Sequence, residues 1–481
     1  MPHPLLFLPL LSLAATGASP TDRDLRVVAD VPLPFVREVT MFDGWAKWLA
    51  SNSPRCTIDI EYNREPFHWQ YDKHGWMPWM QFFYDWRFGD IQNDGRLGFI
   101  QTNGARQQIA YDFEGNELWR YEDPEADFRD IRYDSFFPIY DFDGDGRQEL
   151  ICARKRDGEL MLALVDTATG EAKKLAPFPG EGDHCTVKVV FTGKDPGKPE
   201  IAINWNVRDL HVLDHDLNLR WSVHNRDLPE REHTPIAHSF DAADVDGDGR
   251  DEILAGSVLF DSDGEVLWVA PDLPALVKDG HADSVHLTPD PDTGDWRMLM
   301  STGAYVFDQD GELLWGDDSL KHGQKAHPAR IRTDVPGPQF VVYEGVSRVD
   351  KSLPDKVVAF DWQGDRLWER EIVQPDMQEG GFGFWLGDWN GDGLDEVFVN
   401  DRDVCRVLDG RGEQIAELPG YLIYVFDLAG DERVEAVTLT DIAPDMRMRI
   451  FANAAENPNP ETSDVPERRT APMDMVNMSR Y

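Results

Sequence analysis

An acidic turn followed by a short apolar stretch recurs along most of the chain. The three most complete copies are DFDGDGRQELI from Asp141, DVDGDGRDEIL from Asp244 and DWNGDGLDEVF from Asp388. Apolar, β-branched runs bounded by Asp and Gly are typical of short β-strands. With the degraded copies included, eight turns repeat at a spacing of about 45–50 residues, which is the period of propeller blades.

A second motif follows most of the turns, as in FDSDGEVLW from Phe260 and FDQDGELLW from Phe307. It predicts a β-hairpin with an Asp/Gly turn and an aromatic residue in the returning strand. Each unit then has four strands, and units of this kind bury their faces by packing around an axis. We therefore predict an all-β fold, a β-propeller of seven or eight blades. The eighth unit lacks a clear closing hairpin, so in an eight-bladed ring the N-terminal segment would supply its last strand.

The two ends of the chain differ in composition from the repeats. Residues 1–19 hold an apolar run too short to span a bilayer, followed by small residues, and predict a signal peptide. The alternative is an uncleaved interior helix. Residues 20–78 are rich in aromatic side chains and are expected to form an arm that packs on a propeller of residues 79–455. Residues 456–481 are rich in Pro and Glu and predict an extended tail.

Charge and cysteine content narrow the range of functions. The 481 residues include 89 acidic and 47 basic side chains, and the formal net charge of −42 argues against binding to nucleic acid or anionic membranes. The composition favours a soluble protein that binds divalent cations; the predicted signal peptide favours a secreted or periplasmic location, and we expect a monomer. The four cysteines form no CxxC pair, so a thiolate zinc site is not expected, and any disulfides could pair in three ways.

The acidic turns have the spacing of a cation site. In D-x-D-G-D-G-x-x-E, alternate side chains point at a common centre, the glycines permit the sharp backbone and the last carboxylate closes the shell. Hard oxygen ligands at this density suit Ca²⁺, and the alternative is a set of solvated turns. Because several copies are eroded, a stabilising role fits better than a catalytic one. The predicted ligands are Asp141, Asp143, Asp145, Glu149, Asp244, Asp246, Asp248, Glu252, Asp388, Asn390, Asp392 and Glu396.

Histidines lie a short distance upstream of the acidic turns in four successive units. They are His184, His233, His281 and His322, with His238, His286 and His327 nearby. If the turns mark one face of the ring, these histidines lie at the opposite mouth of the central channel. We expect a shared cavity there, and for each single histidine the alternative is a hydrogen-bonded structural role.

Arginines lie where the second strand of a unit would return to that same mouth. They are Arg106, Arg154, Arg156, Arg208, Arg348 and Arg402, with Tyr305 and Tyr343 in equivalent places. In so acidic a chain this pattern predicts a cationic ring for an anionic ligand held by bidentate carboxylate contacts. The alternative is that the arginines pair with neighbouring aspartates on solvated hairpins.

These stretches resemble a known family. DVDGDGRDEIL, the FDSDGEVLW hairpins, GHADSVH, LWGDDSLKHGQK, VPGPQ and MRIFANA are similar to the rhamnogalacturonan lyases of polysaccharide lyase family 11 and to the propeller-type ulvan and rhamnose–glucuronate lyases, over residues 86–455. The resemblance implies a calcium-binding propeller that cleaves uronate-containing, often rhamnose-rich polysaccharides by β-elimination. It also implies that His281 and His322 either ligate metal or move protons.

The elimination needs a group that neutralises the uronate carboxylate, a base and an acid. We assign neutralisation to Arg208 with Arg348 as second choice, the base to His233 or His281, and the acid to Tyr305. The other expected contacts to an anionic polysaccharide are His184, His322, Lys325, Arg106, Arg156, Arg348 and Tyr343. The alternative function is a non-catalytic secreted propeller that binds calcium and holds carbohydrate or protein at the same mouth.

Overall fold

The structure is a computed structural model. It describes residues 25–32, 59–62, 65–68, 85–94, 98–103, 105, 107–112, 115–123, 126, 137–180, 185–195, 197–205, 207–290, 293–345, 353–372, 384–401, 404–427, 433–440 and 447–455. The predicted signal peptide and C-terminal tail, and most of the predicted arm, lie outside these ranges. Within them, no helix is long and apolar enough to cross a membrane.

Eight four-stranded antiparallel sheets form the blades of a propeller, and in seven of them the strands are in sequential order. Strand β1 (Leu25–Pro32) and a separate hairpin of β2 (Asp59–Tyr62) and β3 (Glu65–His68) precede the first blade. Blade 1 has β4 (Asp85–Gly89), β5 (Gly98–Asn103), β6 (Gln107–Tyr111) and β7 (Glu117–Glu122). Blade 2 has β8 (Ile139–Tyr140), β9 (Glu149–Arg156), β10 (Glu159–Asp166) and β11 (Ala172–Pro177). Blade 3 has β12 (Cys185–Val190), β13 (Glu200–Trp205), β14 (Asp209–Leu213) and β15 (Leu219–His224).

The other blades follow the same plan. Blade 4 has β16 (Phe240–Ala243), β17 (Glu252–Ala255), β18 (Val258–Phe260) and β19 (Val266–Val269), and the helix α1 (Pro274–Asp279) follows it. Blade 5 has β20 (Val285–Pro289), β21 (Trp296–Met300), β22 (Tyr305–Asp308) and β23 (Leu313–Trp315). Blade 6 has β24 (Gly323–Ala329), β25 (Gln339–Glu344), β26 (Asp355–Phe360) and β27 (Arg366–Ile372). Blade 7 has β28 (Phe384–Gly387), β29 (Glu396–Asp401), β30 (Val404–Leu408) and β31 (Gln414–Pro419).

The eighth blade closes the ring with strands from both ends of the described chain. It has β32 (Tyr421–Phe426), β33 (Glu435–Thr440), β34 (Arg447–Asn453) and, as its outer strand, β1. β1 pairs antiparallel with β34, so that Leu25 faces Asn453 and Pro32 faces Arg447. The propeller prediction is confirmed with eight blades, and the N-terminal segment supplies the last strand.

The first strand of each blade lies nearest the axis, because β16, β20 and β24 contact one another across successive blades. The second strands are the most deeply buried, and every residue of β13, β25 and β29 is buried. The fourth strands form the rim and contain only exposed and half-buried residues in most blades, as in β15. The apolar core therefore lies between the blades and is shared by neighbours. Cys152, Cys185 and Cys405 are free thiols buried in it.

A tryptophan on the outer strand joins most neighbouring blades. Its indole N–H donates to a carbonyl in the third-to-fourth-strand hairpin of the next blade, as in Trp268 to Gln309 at 3.1 Å. The ring covers a glycine of that hairpin, such as Gly311, whose φ of 82° suits glycine. The same pairs, in chain order, are Trp119 with Gly170, Trp221 with Gly264, Trp315 with Gly364 and Trp368 with Gly412.

Blade 2 departs from this pattern. Lys174 takes the tryptophan position, and the matching residue of the next hairpin is Leu217 at a φ of 63° instead of glycine. The Lys174 ammonium donates to the carbonyl of His215 at 3.4 Å. In this hairpin, which no indole covers, leucine therefore holds the position that glycine holds under each indole.

We expect Gly311→Ala to destabilise the propeller more than Gly294→Ala. Both glycines have φ near 80°, but a Cβ at position 311 would lie 2.7 Å from the Trp268 ring, whereas nothing lies within 4 Å at position 294. Overpacking of this kind costs about 1–3 kcal/mol. Denaturant midpoints of the two variants measure the difference, and equal midpoints would show that the indole contact is not tight.

Candidate active site

The three complete acidic turns share one hydrogen-bonded template. Each joins the first and second strands of its blade, so all three lie on the same face of the ring. The sixth residue of each turn donates its N–H to the first aspartate, as in Gly249 to Asp244 at 3.0 Å. The second residue donates its N–H to the closing glutamate, as in Val245 to Glu252 at 2.8 Å. Equivalent bonds run from Gly146 to Asp141, from Gly393 to Asp388, from Phe142 to Glu149 and from Trp389 to Glu396.

The turns also clamp neighbouring blades together. Asp251, just before the closing glutamate, accepts the N–H of Phe191 at 2.7 Å and donates its own N–H to the Phe191 carbonyl at 3.0 Å. Asp395 makes the same pair of bonds with Arg330, both at 2.8 Å. The backbone of these turns therefore helps to hold neighbouring blades together.

The carboxylates of two turns lie close enough together to surround a positive charge. Ligand oxygens of Asp244, Asp246 and Asp248 lie within 4.8 Å of one another, as do those of Asp141, Asp143 and Glu149. Asp141 Oδ1 and Asp244 Oδ1 are buried and accept no hydrogen bond. In the blade 7 turn, Asn390 instead donates its amide to Glu396 at 2.7 Å.

A second cluster of possible ligands occupies the opposite face, in the loops that lead into the first strands of blades 4, 5 and 6. Nε2 of His238 lies 2.8 Å from Nε2 of His281. Asp283 places Oδ1 3.5 Å from His281 Nε2 and 3.7 Å from His238 Nε2. Two imidazoles and one carboxylate therefore converge, and their ligand atoms lie within 4.8 Å of one another.

The same aspartate joins this group to a second one. His322 Nδ1 lies 2.6 Å from Asp279 Oδ1 and 4.0 Å from Asp283 Oδ2. Asp279 ends α1, where Gly280 adopts a φ of 94° and donates its N–H to the carbonyl of Leu276. Asp283 Oδ2 and His322 Nε2 are buried and have no hydrogen-bond partner. We call these five residues, His238, Asp279, His281, Asp283 and His322, the mouth cluster.

Asp283 is the electrostatic centre of the mouth cluster. It is 1 % exposed, and burial alone would favour its neutral form. The hydrogen bond with His281 and the charges of His238 and His322 outweigh burial and hold the pKa of Asp283 below its ordinary value. A buried anion among three imidazoles is an arrangement that a bound cation would stabilise.

Two of the four histidines predicted to share a cavity belong to the mouth cluster, and a third does not. His233 has a fully buried side chain whose Nδ1 lies 2.9 Å from Asp272 and whose Nε2 lies 2.9 Å from Ser257. Burial lowers the pKa of His233 despite the hydrogen bond with Asp272. Both ring nitrogens hold the surrounding loops together, which leaves none for a substrate. His184, the fourth, lies outside the described residues.

Tyr305 is also engaged within the protein. Its hydroxyl contacts the carboxylate of Asp318 and accepts the N–H of Ala275 at the start of α1. Burial, reinforced by Asp318, raises the pKa of Tyr305 above its ordinary value. In this arrangement the phenol anchors the helix that carries Asp279.

Of the six arginines predicted to form a cationic ring, three lie in the described residues. Arg154 points into the interface of blades 1 and 2, where its guanidinium lies 4.1 Å from the centre of the Tyr121 ring. Arg208 is exposed at the turn between β13 and β14, and Arg156 is exposed at the end of β9. Arg106, Arg348 and Arg402 lie outside the described residues.

Two other predicted contact residues are buried in blade 6. Lys325 donates to the carbonyl of Phe384 at 2.7 Å and lies 4.4 Å from the centre of the Trp385 ring, so that it links blade 6 to blade 7. Tyr343 donates its hydroxyl to Asp355 at 3.0 Å. Both side chains therefore stabilise the blades.

His286 and His327 lie on first strands, nearer the channel axis than the mouth cluster, with ring centres 4.2 Å apart. His286 Nδ1 lies 3.5 Å from Asp241, which also lies 3.5 Å from the ammonium of Lys188. Sequence reasoning found the histidines of this face but missed Asp279 and Asp283. The signal was present in KDGHADSVH, where an acid lies two residues to either side of His281.

The fold is similar to that of known propellers. An exotype rhamnogalacturonan lyase, YesX, matches with a TM-score of 0.59 and 21% identity over 77% of this chain and 72% of its own. The rhamnogalacturonan lyase PL11 of Bacillus licheniformis matches with a TM-score of 0.53 and 18% identity over 82% and 77%. The V. cholerae biofilm matrix protein Bap1 matches with a TM-score of 0.54 and 15% identity over 78% and 88%.

At these identities the likeness shows the fold. The expectation of a propeller like that of the rhamnogalacturonan lyases is confirmed. No protein-family model and no curated protein matches the chain.

We expect His233→Ala to destabilise the protein and His281→Ala to leave its stability almost unchanged. The first variant loses two buried hydrogen bonds and leaves a cavity, which costs about 2–3 kcal/mol. The second removes a side chain that is 23% exposed, with an expected cost under about 1 kcal/mol. Thermal and denaturant unfolding measure both, and equal losses would place His281 among the structural histidines.

Proposed function

We propose that this chain is a secreted polysaccharide lyase that cleaves a uronate-containing, rhamnose-rich polysaccharide by β-elimination at the mouth cluster. The observation that carries the proposal is the buried Asp283 beside the facing Nε2 atoms of His238 and His281, at the entrance to the channel. The fold shared with two rhamnogalacturonan lyases supports it.

The reaction itself defines what the site must supply. A base takes the proton from C5 of the uronate, the electron pair forms a C4–C5 double bond, and O4 departs and gains a proton. Charge builds up on the uronate carboxylate as the C5 proton leaves. Stabilising that charge is usually the largest single contribution of a site to lowering the barrier of such a step.

His238, His281 and Asp283 would hold a divalent cation, with the His322 imidazole, which Asp279 orients, beside Asp283. When bound, this cation neutralises the uronate carboxylate, the role that sequence analysis gave to Arg208. The fit rests on this donor set, whose ligand atoms lie within 4.8 Å of one another, and on the buried Asp283 carboxylate, whose Oδ2 accepts no hydrogen bond. Ca²⁺ is the ion we infer from the resemblance; of the three donors only Asp283 is the oxygen ligand that Ca²⁺ prefers, and the two imidazoles also suit Zn²⁺.

The C5 proton is taken by a residue outside the mouth cluster. His233 has both ring nitrogens engaged, and His281 and His322 belong to the mouth cluster. Of the four histidines in the same register, His184 is left as the residue that takes the C5 proton. The Tyr305 hydroxyl is engaged by Asp318, so O4 takes its proton from water.

The proposal is tested with a panel of rhamnogalacturonan, ulvan, glucuronan and gum arabic. Ultraviolet absorbance reports the unsaturated uronate that β-elimination creates. We expect His281→Ala to lower the rate by about a hundredfold or more, because carboxylate neutralisation is lost. His215→Gln, on the opposite face, serves as the matched control and should keep full activity. Full activity of His281→Ala would remove the mouth cluster from the reaction.

A chelator is expected to act on the wild-type protein in the same direction. Removing divalent ions should abolish formation of the unsaturated product, and added Ca²⁺ should restore it. His184→Ala should also lose activity, but it should keep the affinity for calcium that His281→Ala loses. Activity that persists in excess chelator would contradict a role for a cation.

A second candidate function is a non-catalytic secreted propeller that binds carbohydrate or protein. The similar fold of a biofilm matrix protein, at a TM-score of 0.54, supports this second candidate function. The two functions differ in their products, because a binder returns a uronate oligosaccharide unchanged. A lyase leaves a double bond and a new reducing end.

A further inference from the structure

The outer hairpin of each of blades 1–7 contains a β-bulge at one equivalent residue. In blade 4, for example, Leu259 faces Trp268 and Phe260 faces Val266, so Leu267 has no partner in the register. A bulge redirects the side chain of its extra residue. The bulge residues of blades 1–7 are, in order, Leu118, Lys173, Arg220, Leu267, Leu314, Leu367 and Ile415. Five are aliphatic, and the bulge residues of blades 2 and 3 are cations.

The bulge residue of blade 2 lies among the predicted calcium ligands of its own blade. The Lys173 ammonium is 2.5 Å from Asp143 Oδ2, 3.0 Å from Asp145 Oδ2 and 2.7 Å from Glu149 Oε1. Glu149, which closes the turn, is 1% exposed. A positive charge that belongs to the protein therefore contacts three of the four carboxylates of this turn.

Blade 3 repeats the arrangement after its turn has lost most of its acids. Thr192 stands at the place of the first aspartate, and only the closing Glu200 is kept. The guanidinium of Arg220 lies 2.6 Å from Glu200 Oε2 and 2.7 Å from the hydroxyl of Thr192. In a turn without the ligands for a metal, the bulge residue supplies the positive charge for the closing glutamate.

Blade 4 has the complete turn without such a cation. Leu267 is 53% exposed, and no lysine or arginine that the structure describes forms an ion pair with Asp244, Asp246 or Asp248. Arg220 and Arg250 both pair with Asp263 on the adjacent hairpin, at 3.0 and 2.8 Å. The blade 7 turn likewise has an aliphatic bulge residue, Ile415.

We propose that Lys173 takes the place of the divalent cation in the acidic turn of blade 2, as Arg220 does for the residual acid of blade 3. Calcium is then confined to turns whose bulge residue is aliphatic, of which blade 4 has the most favourable carboxylates. An ion entering the blade 2 turn would have to displace an ammonium that is covalently tethered there and already makes three short contacts. Blade 2 is thus braced at any calcium concentration, whereas blade 4 depends on the ion.

The bulge position allows reciprocal variants. K173L gives blade 2 the residue of its sister blade, and L267K gives blade 4 a lysine in the equivalent place. Isothermal titration of the chelator-treated full-length protein with Ca²⁺ counts bound ions, and melting temperatures are measured with and without Ca²⁺. We expect K173L to bind one ion more than wild type, L267K to bind one fewer, and L267K to melt at a temperature less dependent on calcium.

The count of bound ions decides the matter independently of any lyase activity, because no substrate is present. If K173L does not fold, K173M keeps the length of the side chain without its charge and carries the same expectation. Equal numbers of ions in wild type, the position 173 variant and L267K would overturn the proposal. The proposal would also be overturned if calcium occupied the blade 2 turn to the same extent in the wild-type protein and in a Lys173 variant.

Discussion

The contact between an outer-strand indole and a glycine of the next hairpin is the constraint on which the ring depends. A blade cannot cover both of its own faces, so its stability comes from its neighbours. The indole determines the distance between two blades, because its N–H donates to a carbonyl of the next blade and its ring packs on a glycine there. Trp315 makes both contacts, with the carbonyl of Trp362 and with Gly364. Each such contact fixes the relative position of two sheets and therefore also the position of the loops that connect to them at the channel mouth.

The mouth cluster is built from this regularity. His238, Asp283 and His322 each lie just before a first strand, in three consecutive blades. First strands lie nearest the axis, so residues that precede them converge even though they are far apart in sequence. The structural side chains around them serve the same end, because His233 ties one loop to another through Asp272 and Tyr305 holds the start of α1. The two faces of the ring therefore carry different groups, acidic turns on one face and imidazoles on the other.

The sequence was sufficient for the fold because the repeat carries its own geometry. Turn, strand and hairpin recur with one spacing, and the turn glycines mark positive φ wherever the acidic loop bends, as at Gly247 and Gly249. Side-chain direction was harder to infer. Lys325 and Tyr343 have the residue types of a binding surface, yet packing turns them into the blades, and register alone does not show that. Asp279 escaped notice because it reaches His322 through a short helix and not through the repeat.

The pairing of β1 with β34 joins the two ends of the propeller and also affects the order in which its strands can pair during folding. Of the strands of the propeller, β1 is synthesised first, but its partner β34 is synthesised only after all the other blades. Contacts between such distant parts of a chain raise the contact order and slow folding. Until the circle closes, the free edge of the eighth sheet presents unpaired backbone to any extended chain nearby, so the route to the native state is most exposed to mispairing at its final step.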